Sequence, residues 1–113
     1  MSGRAGCHYT SVLKESELPP DSQKALRVGA CRILLVRTQA EIFAVQDLCS
    51  HALLPLAGAA IENGCITCPR HGATFDLRTG QPLNGVTAES IKVYATRIES
   101  GHIQIALGAD AIN

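Results

Sequence analysis

Cys49-Ser50-His51 and, after sixteen intervening residues, Cys68-Pro69-Arg70-His71 set two thiols and two imidazoles in a C-x-H … C-x-x-H pattern. Thiolate sulfur and neutral imidazole nitrogen are donors that bind transition metals of borderline softness. Zinc would be satisfied by two of each in a tetrahedron, but its usual clips pair Cys with Cys and His with His across a helix or a zinc ribbon. Here each clip supplies one of each. That mixture suits a two-iron, two-sulfide core in which one iron takes both cysteines and the other both histidines, because each loop then reaches both metals. Cys7, Cys31 and Cys65 complete an odd set of five cysteines. The start of the chain has no apolar stretch of signal-peptide length, so a reducing, cytoplasmic compartment is expected and a disulfide framework is the weaker explanation. Cys31 lies in an apolar run and Cys65 beside a turn, where a small buried thiol is the ordinary case; neither is assigned a function, nor is Cys7. Cys7-His8 imitates a ligand pair near the N-terminus, and His102 follows a turn; both are read as incidental.

The rest of the chain must hold those two loops side by side. Its 113 residues allow one compact domain, 1–113, with a small site. Ten Lys and Arg balance ten Asp and Glu, so bulk charge favours neither nucleic acid nor an anionic membrane. Apolar residues make up 46% and charged ones 18%, against disorder, and no apolar run has the length of a membrane span.

Helical periodicity is nearly absent, and short stretches rich in Val, Ile and Leu recur between turn signals, which predicts an all-β antiparallel sandwich or barrel. Residues 31–37 and 41–46 read as core strands joined at Thr38-Gln39-Ala40. Ile91, Val93 and Ala95 alternate with Lys92, Tyr94 and Thr96, and beyond a turn at Ser100-Gly101, Ile103, Ile105 and Leu107 alternate with Gln104 and Ala106. That predicts a second hairpin with one buried face. Between these blocks Asn63-Gly64, the dipeptide best suited to a type I′ turn, separates residues 60–62 from 65–67. Residues 47–84 therefore read as a small hairpin-based insert in a β framework, with one cysteine–histidine pair in the loop on either side of the hairpin. Residues 16–22 contain two prolines and read as a surface crossover. Residues 1–8 and 109–113 are expected to fray.

At the ligand loops the sequence resembles the Rieske proteins, in particular the small Rieske-type ferredoxins of bacterial ring-hydroxylating oxygenase systems. The likeness covers nearly the whole chain. It is carried by Cys-Ser-His-Ala-Leu-Leu-Pro-Leu at 49–56, Cys-Pro-Arg-His-Gly-Ala-Thr-Phe-Asp at 68–76, Thr-Gly-Gln-Pro-Leu at 79–83 and Glu-Ile-Phe-Ala-Val at 41–45. The resemblance implies one [2Fe-2S] cluster, with Cys49 and Cys68 on one iron and His51 and His71 on the outer one, and a β framework carrying an inserted cluster-binding subdomain. It also implies a one-electron carrier, not an enzyme, between a flavin-dependent NAD(P)H reductase and a terminal oxygenase with its own Rieske centre. Two ferric ions, two sulfides and two thiolates sum to zero, so reduction leaves the site only singly negative, and an electron is accepted more easily than at a four-thiolate cluster.

Several departures narrow the family. Rieske proteins of respiratory complexes carry a further, disulfide-linked cysteine in each loop; this chain has none there. Terminal oxygenases usually have Arg-Gly after the first histidine and Trp after the second His-Gly, where this chain has Ala52-Leu53 and Ala73. High-potential members have hydroxyl donors where this chain has Ala73 and Phe75, which predicts a low potential. Relatives place prolines after the second loop, whereas Asn84-Gly85-Val86-Thr87 follows Pro82-Leu83 here. Leu53, Leu54, Pro55 and Leu56 read equally as a packed loop or, with Leu53 and Leu54 at its centre, as a transient docking patch. The competing readings are a Rieske-fold small subunit or regulatory module of a reductase such as a nitrite reductase, and a zinc-stabilised binding module.

Overall fold

The computed structural model describes residues 8–49, 54–69 and 72–107. Among these the chain forms β1 (His8–Lys14), a 3-10 turn (Glu15–Glu17), β2 (Ser22–Val28), β3 (Cys31–Arg37), β4 (Ile42–Gln46), β5 (Ala60–Glu62), β6 (Cys65–Thr67), β7 (Thr74–Asp76), β8 (Val93–Tyr94), β9 (Thr96–Glu99) and β10 (His102–Leu107). Three antiparallel sheets result, in the orders β1-β10-β9, β2-β3-β4-β8 and β5-β6-β7. The all-β expectation holds, and among the described residues no helix is long and apolar enough to cross a membrane.

The unbroken apolar run Ile33-Leu34-Leu35-Val36 is explained by its place in the middle sheet, which is covered on both faces. Because side chains alternate along a strand, Ile33, Leu35 and Ala44 face one way, onto Ile103, Ile105 and Leu107 of the β1-β10-β9 sheet. Leu34, Val36 and Val45 face the other way, onto Leu56, Ile66, Phe75, Leu77 and the two cysteines Cys49 and Cys68. The middle sheet is thus the wall on which the ligand loops rest. Each fully buried side chain of this kind contributes about 1.5–3 kcal/mol.

The Thr38 turn is as expected: its N–H donates to Glu41 O at 2.9 Å, and its hydroxyl accepts from Ala40 and Glu41 N–H. The Asn63-Gly64 hairpin also stands, with φ of +52° and +76° as a type I′ turn requires. The C-terminal hairpin turns at Ser100-Gly101 as read, but its first strand does not. β8 pairs with β4 in the middle sheet, whereas β9 pairs with β10, so the chain changes sheets at Ala95. The alternation expected for 91–96 therefore breaks: Ile91 is buried, while Val93 is 37% exposed and Ala95 is open to solvent. The crossover at 16–22 is not wholly a surface feature either, since Leu18 is buried in the framework core and its carbonyl accepts from Arg37 at 3.0 Å. Of the two termini expected to fray, only His8 lies among the described residues, and it opens β1.

Candidate metal centre

Cys49 follows β4 and Cys68 follows β6, and both are buried, at 0% and 1% exposure, in the same apolar cluster. No disulfide forms among the described cysteines. The two loops close by the same device. Cys49 N–H donates to Leu54 O and Cys68 N–H to Ala73 O, both at 2.8 Å, so each cysteine is hydrogen-bonded to the carbonyl five residues ahead. A further bond from Gly72 N–H to Cys68 O at 3.0 Å tightens the second loop, with Gly72 at φ +74°. Residues 50–53 and 70–71 lie outside the described residues, and with them the expected ligands His51 and His71 and the residue Leu53. Among the described residues no group of three or more His, Cys, Asp or Glu converges. The described half of the expected ligand set is thus a pair of thiols brought to one core from two similarly closed loops.

Asp47 fixes the first loop. It is the buried charged residue among the described ones, at 4% exposure, and its Oδ1 accepts from Leu56 N–H and Ala57 N–H, both at 2.8 Å. A carboxylate at the start of the loop thus binds the backbone where the loop ends. Its own N–H donates to Arg32 O at 2.9 Å, which seats it on β3. From β2, the Gln23 amide donates to Ala59 O at 3.0 Å and accepts from Gly58 N–H at 2.6 Å, tying the same segment to the framework.

A neutral side chain serves the second loop. Asn84 donates through Nδ2 to Gly72 O at 2.8 Å, and its Oδ1 accepts from Thr74 N–H and Val86 N–H at 3.4 Å each. Leu83 N–H reaches Thr74 O at 2.7 Å, so the segment after the second loop is held by hydrogen bonds. Gly80 closes this region onto the strand returning to the framework. Its φ is +81°, Ile91 N–H donates to its carbonyl at 2.9 Å, and a Cβ there would stand 2.1 Å from Ile91 O. On the same side Arg78 pairs with Glu41 in a two-pronged bridge, Nη1 to Oε2 at 3.0 Å, with its guanidinium 5.6 Å from the Phe43 ring. The guanidinium holds the Glu41 carboxyl below its ordinary range, by hydrogen bond first and charge second, and Glu41 raises Arg78 in return.

Sequence reasoning singled out the cysteines and quoted Gly80 within the 79–83 turn without its close approach to Ile91, but missed the roles of Asp47 and Gln23. For Asp47 a signal existed: an acidic residue between an apolar strand and the first ligand, where only a hydrogen-bonded carboxylate survives burial. For Gln23 there was none. Of the apolar loop residues, Leu56 is fully buried and Leu54 half-buried, so that part of the loop leans toward packing.

The chain matches the model of the Rieske [2Fe-2S] domain over residues 8–95. It is 36% identical over 92 residues to the anthranilate 1,2-dioxygenase ferredoxin subunit of Burkholderia cepacia, a match covering 81% of this chain and 85% of that one. Among solved structures it superposes on the ferredoxin of carbazole 1,9a-dioxygenase from Nocardioides aromaticivorans IC177 with a TM-score of 0.81 and 27% identity, over 88% of this chain and 97% of that one. It also superposes on a chain in the complex of reduced oxygenase and oxidized ferredoxin in carbazole 1,9a-dioxygenase, with a TM-score of 0.78 and 25% identity, over 87% and 92% of the two chains. The chain therefore belongs to the Rieske family and binds a Rieske-type [2Fe-2S] cluster. The cysteine pair fits that group: two thiolates offset the core's positive charge to zero when oxidised, and a neutral cluster is one an apolar cradle of Leu56, Ile66 and Phe75 can hold.

Proposed function

We propose that this chain is a Rieske ferredoxin, a one-electron carrier that takes electrons from an NAD(P)H-dependent flavin reductase and passes them to a terminal ring-hydroxylating oxygenase in the cytoplasm. It transforms no substrate itself. Cys49 and Cys68 hold one iron and His51 and His71 the other, in a cluster-binding subdomain of residues 47–84 within the single domain 1–113. When bound, the cluster supplies a reversible one-electron couple. The residues around it position the thiols: Asp47 and Asn84 pin the two loops, and the buried apolar side chains keep water from the sulfur side.

The supporting observation is that the likeness to ferredoxin components runs along most of both chains, together with two buried thiols on matching loops. The test is reconstitution. The purified protein should be brown, give a rhombic paramagnetic resonance signal on one-electron reduction, and restore turnover when added to a reductase and an oxygenase that lack their ferredoxin. A reducible cluster with no transfer in either direction would overturn the carrier role, and a colourless, zinc-containing protein would overturn the cluster assignment.

A further inference from the structure

Five arginines lie among the described residues. Arg37 pairs with Glu15, Arg78 with Glu41 and Arg97 with Glu99. The other two, Arg27 and Arg32, are exposed, and among the described residues neither side chain has an ion-pair or hydrogen-bond partner. They stand directly opposite each other on β2 and β3, one position in from the Val28–Cys31 pair that closes the turn. In a two-residue hairpin that closing pair is hydrogen-bonded, so Arg27 and Arg32 form a non-hydrogen-bonded pair, whose side chains lie closest. Like charges so placed repel, and among the described residues no ion pair or hydrogen bond relieves the repulsion.

Their place is informative. Strand alternation puts Arg32 on the same face as Leu34 and Val36, the face that carries both cysteines, and Arg27 on the face of Gln23, whose amide holds Gly58 and Ala59 of the first loop. Arg32 O also receives the Asp47 N–H. The arginine pair therefore flanks the first ligand loop. In a chain with formal net charge of zero, two adjacent exposed guanidiniums are a local concentration of positive charge that a molecule approaching that edge meets.

We infer that Arg27 and Arg32 form a docking patch for a carboxylate-bearing surface of the oxygenase component, where charge complementarity relieves their mutual repulsion and steers encounter beside the first loop. Two forked guanidiniums suit bidentate recognition of carboxylates. The oxygenase is chosen as occupant because a similar chain is found in complex with one. This inference rests on the carrier function proposed above.

The test uses the cluster-loaded protein with Arg27→Glu and Arg32→Glu together, and Lys24→Glu as control. Lys24 is exposed on β2, and its cross-strand partner Leu35 packs in the opposite core. Reduced protein is mixed in stopped flow with ferricyanide, with the cationic oxidant tris(phenanthroline)cobalt(III), and with the oxygenase component, at low and high salt. At low salt the double variant should react about tenfold more slowly with ferricyanide and with the oxygenase, and faster with the cobalt complex, the differences closing at high salt. Lys24→Glu should stay within about twofold of the parent, a far smaller electrostatic effect. The visible spectrum, unchanged in all variants, checks folding. If the double variant behaves as Lys24→Glu does while the parent transfers normally, the patch is wrong and the carrier function stands. A change confined to the inorganic oxidants overturns the protein partner, and a parent that takes up no electron overturns both the carrier function and this inference.

Discussion

The two ligand loops share a closing hydrogen bond and differ in what stands behind it. The first is anchored by a buried carboxylate, Asp47, with two short bonds to backbone N–H groups, and by Gln23 reaching from β2. The second relies on the exposed amide of Asn84, with one short bond and two long ones, and on an exposed ion pair to the framework. A buried anion bonded to two N–H groups cannot let go without stranding polar groups away from water, whereas an exposed amide trades its partners for water at little cost. The anchor of the first loop is therefore the rigid jaw of the site and that of the second the compliant one.

The largest effect should come from erasing a ligand, and here the loops should behave alike. His51→Ala or His71→Ala should lose the histidine-bound iron, and Cys49→Ser or Cys68→Ser the other, while Cys7→Ser and Cys31→Ser should leave the visible spectrum intact. Iron content and absorbance decide the matter. A cluster that survives either histidine change with an unaltered spectrum refutes the ligand assignment.

The asymmetry shows once the ligands are kept. Asp47→Ala strands the buried Leu56 N–H and leaves the Ala57 N–H, at an exposed residue, to water, and should cost about 2 kcal/mol or more, whereas Asn84→Ala should cost about 1 kcal/mol or less. Asp47→Asn retains an Oδ1 acceptor and should recover part of the loss. Urea denaturation of the loaded proteins measures all three, and equal costs for Asp47→Ala and Asn84→Ala would remove the distinction between the jaws.

Within the second loop, Ala73 and Phe75 are fully buried and offer no side-chain donor. The potential should therefore lie near the bottom of the Rieske range, about −150 mV. Ala73→Ser with Phe75→Tyr should raise it by an amount on the order of a hundred millivolts, as two new hydrogen bonds to a charged acceptor would. A redox titration near neutral pH checks both statements. A parental midpoint at or above zero would show that side-chain donors do not set the potential here.

What could be read from the chain follows from how local each signal is. Cys49, Cys68 and the Asn63-Gly64 turn are defined by residues next to one another, and the run 33–36 announces a strand buried on both faces. β2, Ser-Gln-Lys-Ala-Leu-Arg-Val, is not legible in the sequence, because an edge strand with polar residues on both sides has no clean period of two. β1 is obscure for a similar reason, and β7, as short as β5 and β6, lacks the Asn-Gly turn that marks those two. The change of sheets at Ala95 is a tertiary event: the alternation from 91 to 96 continues in the sequence while the partner strand changes from β4 to β10. Asp47 acts across nine and ten residues and Gln23 across thirty-five and thirty-six, on backbone atoms that every residue possesses. Such contacts leave no mark on the sequence of the segment they hold.

The smallest effect should come from the Glu41–Arg78 bridge on the side of the compliant jaw. Both side chains are exposed, so screening keeps the contribution slight, but its pH dependence is distinctive. Arg78 stays charged throughout, and Glu41 titrates below its ordinary value of 4.5 because the guanidinium hydrogen-bonds the carboxylate. A carboxylate depressed in the folded state adds stability that is fully present above the unfolded value and disappears as the pH falls through the folded one. Parent and Glu41→Gln, compared by urea denaturation from pH 7 to pH 3, should therefore differ slightly at neutral pH and converge in acid, with added salt narrowing the gap at pH 7. If the difference persists undiminished at pH 3, the bridge acts not through charge but by holding the Arg78 guanidinium over the Phe43 ring.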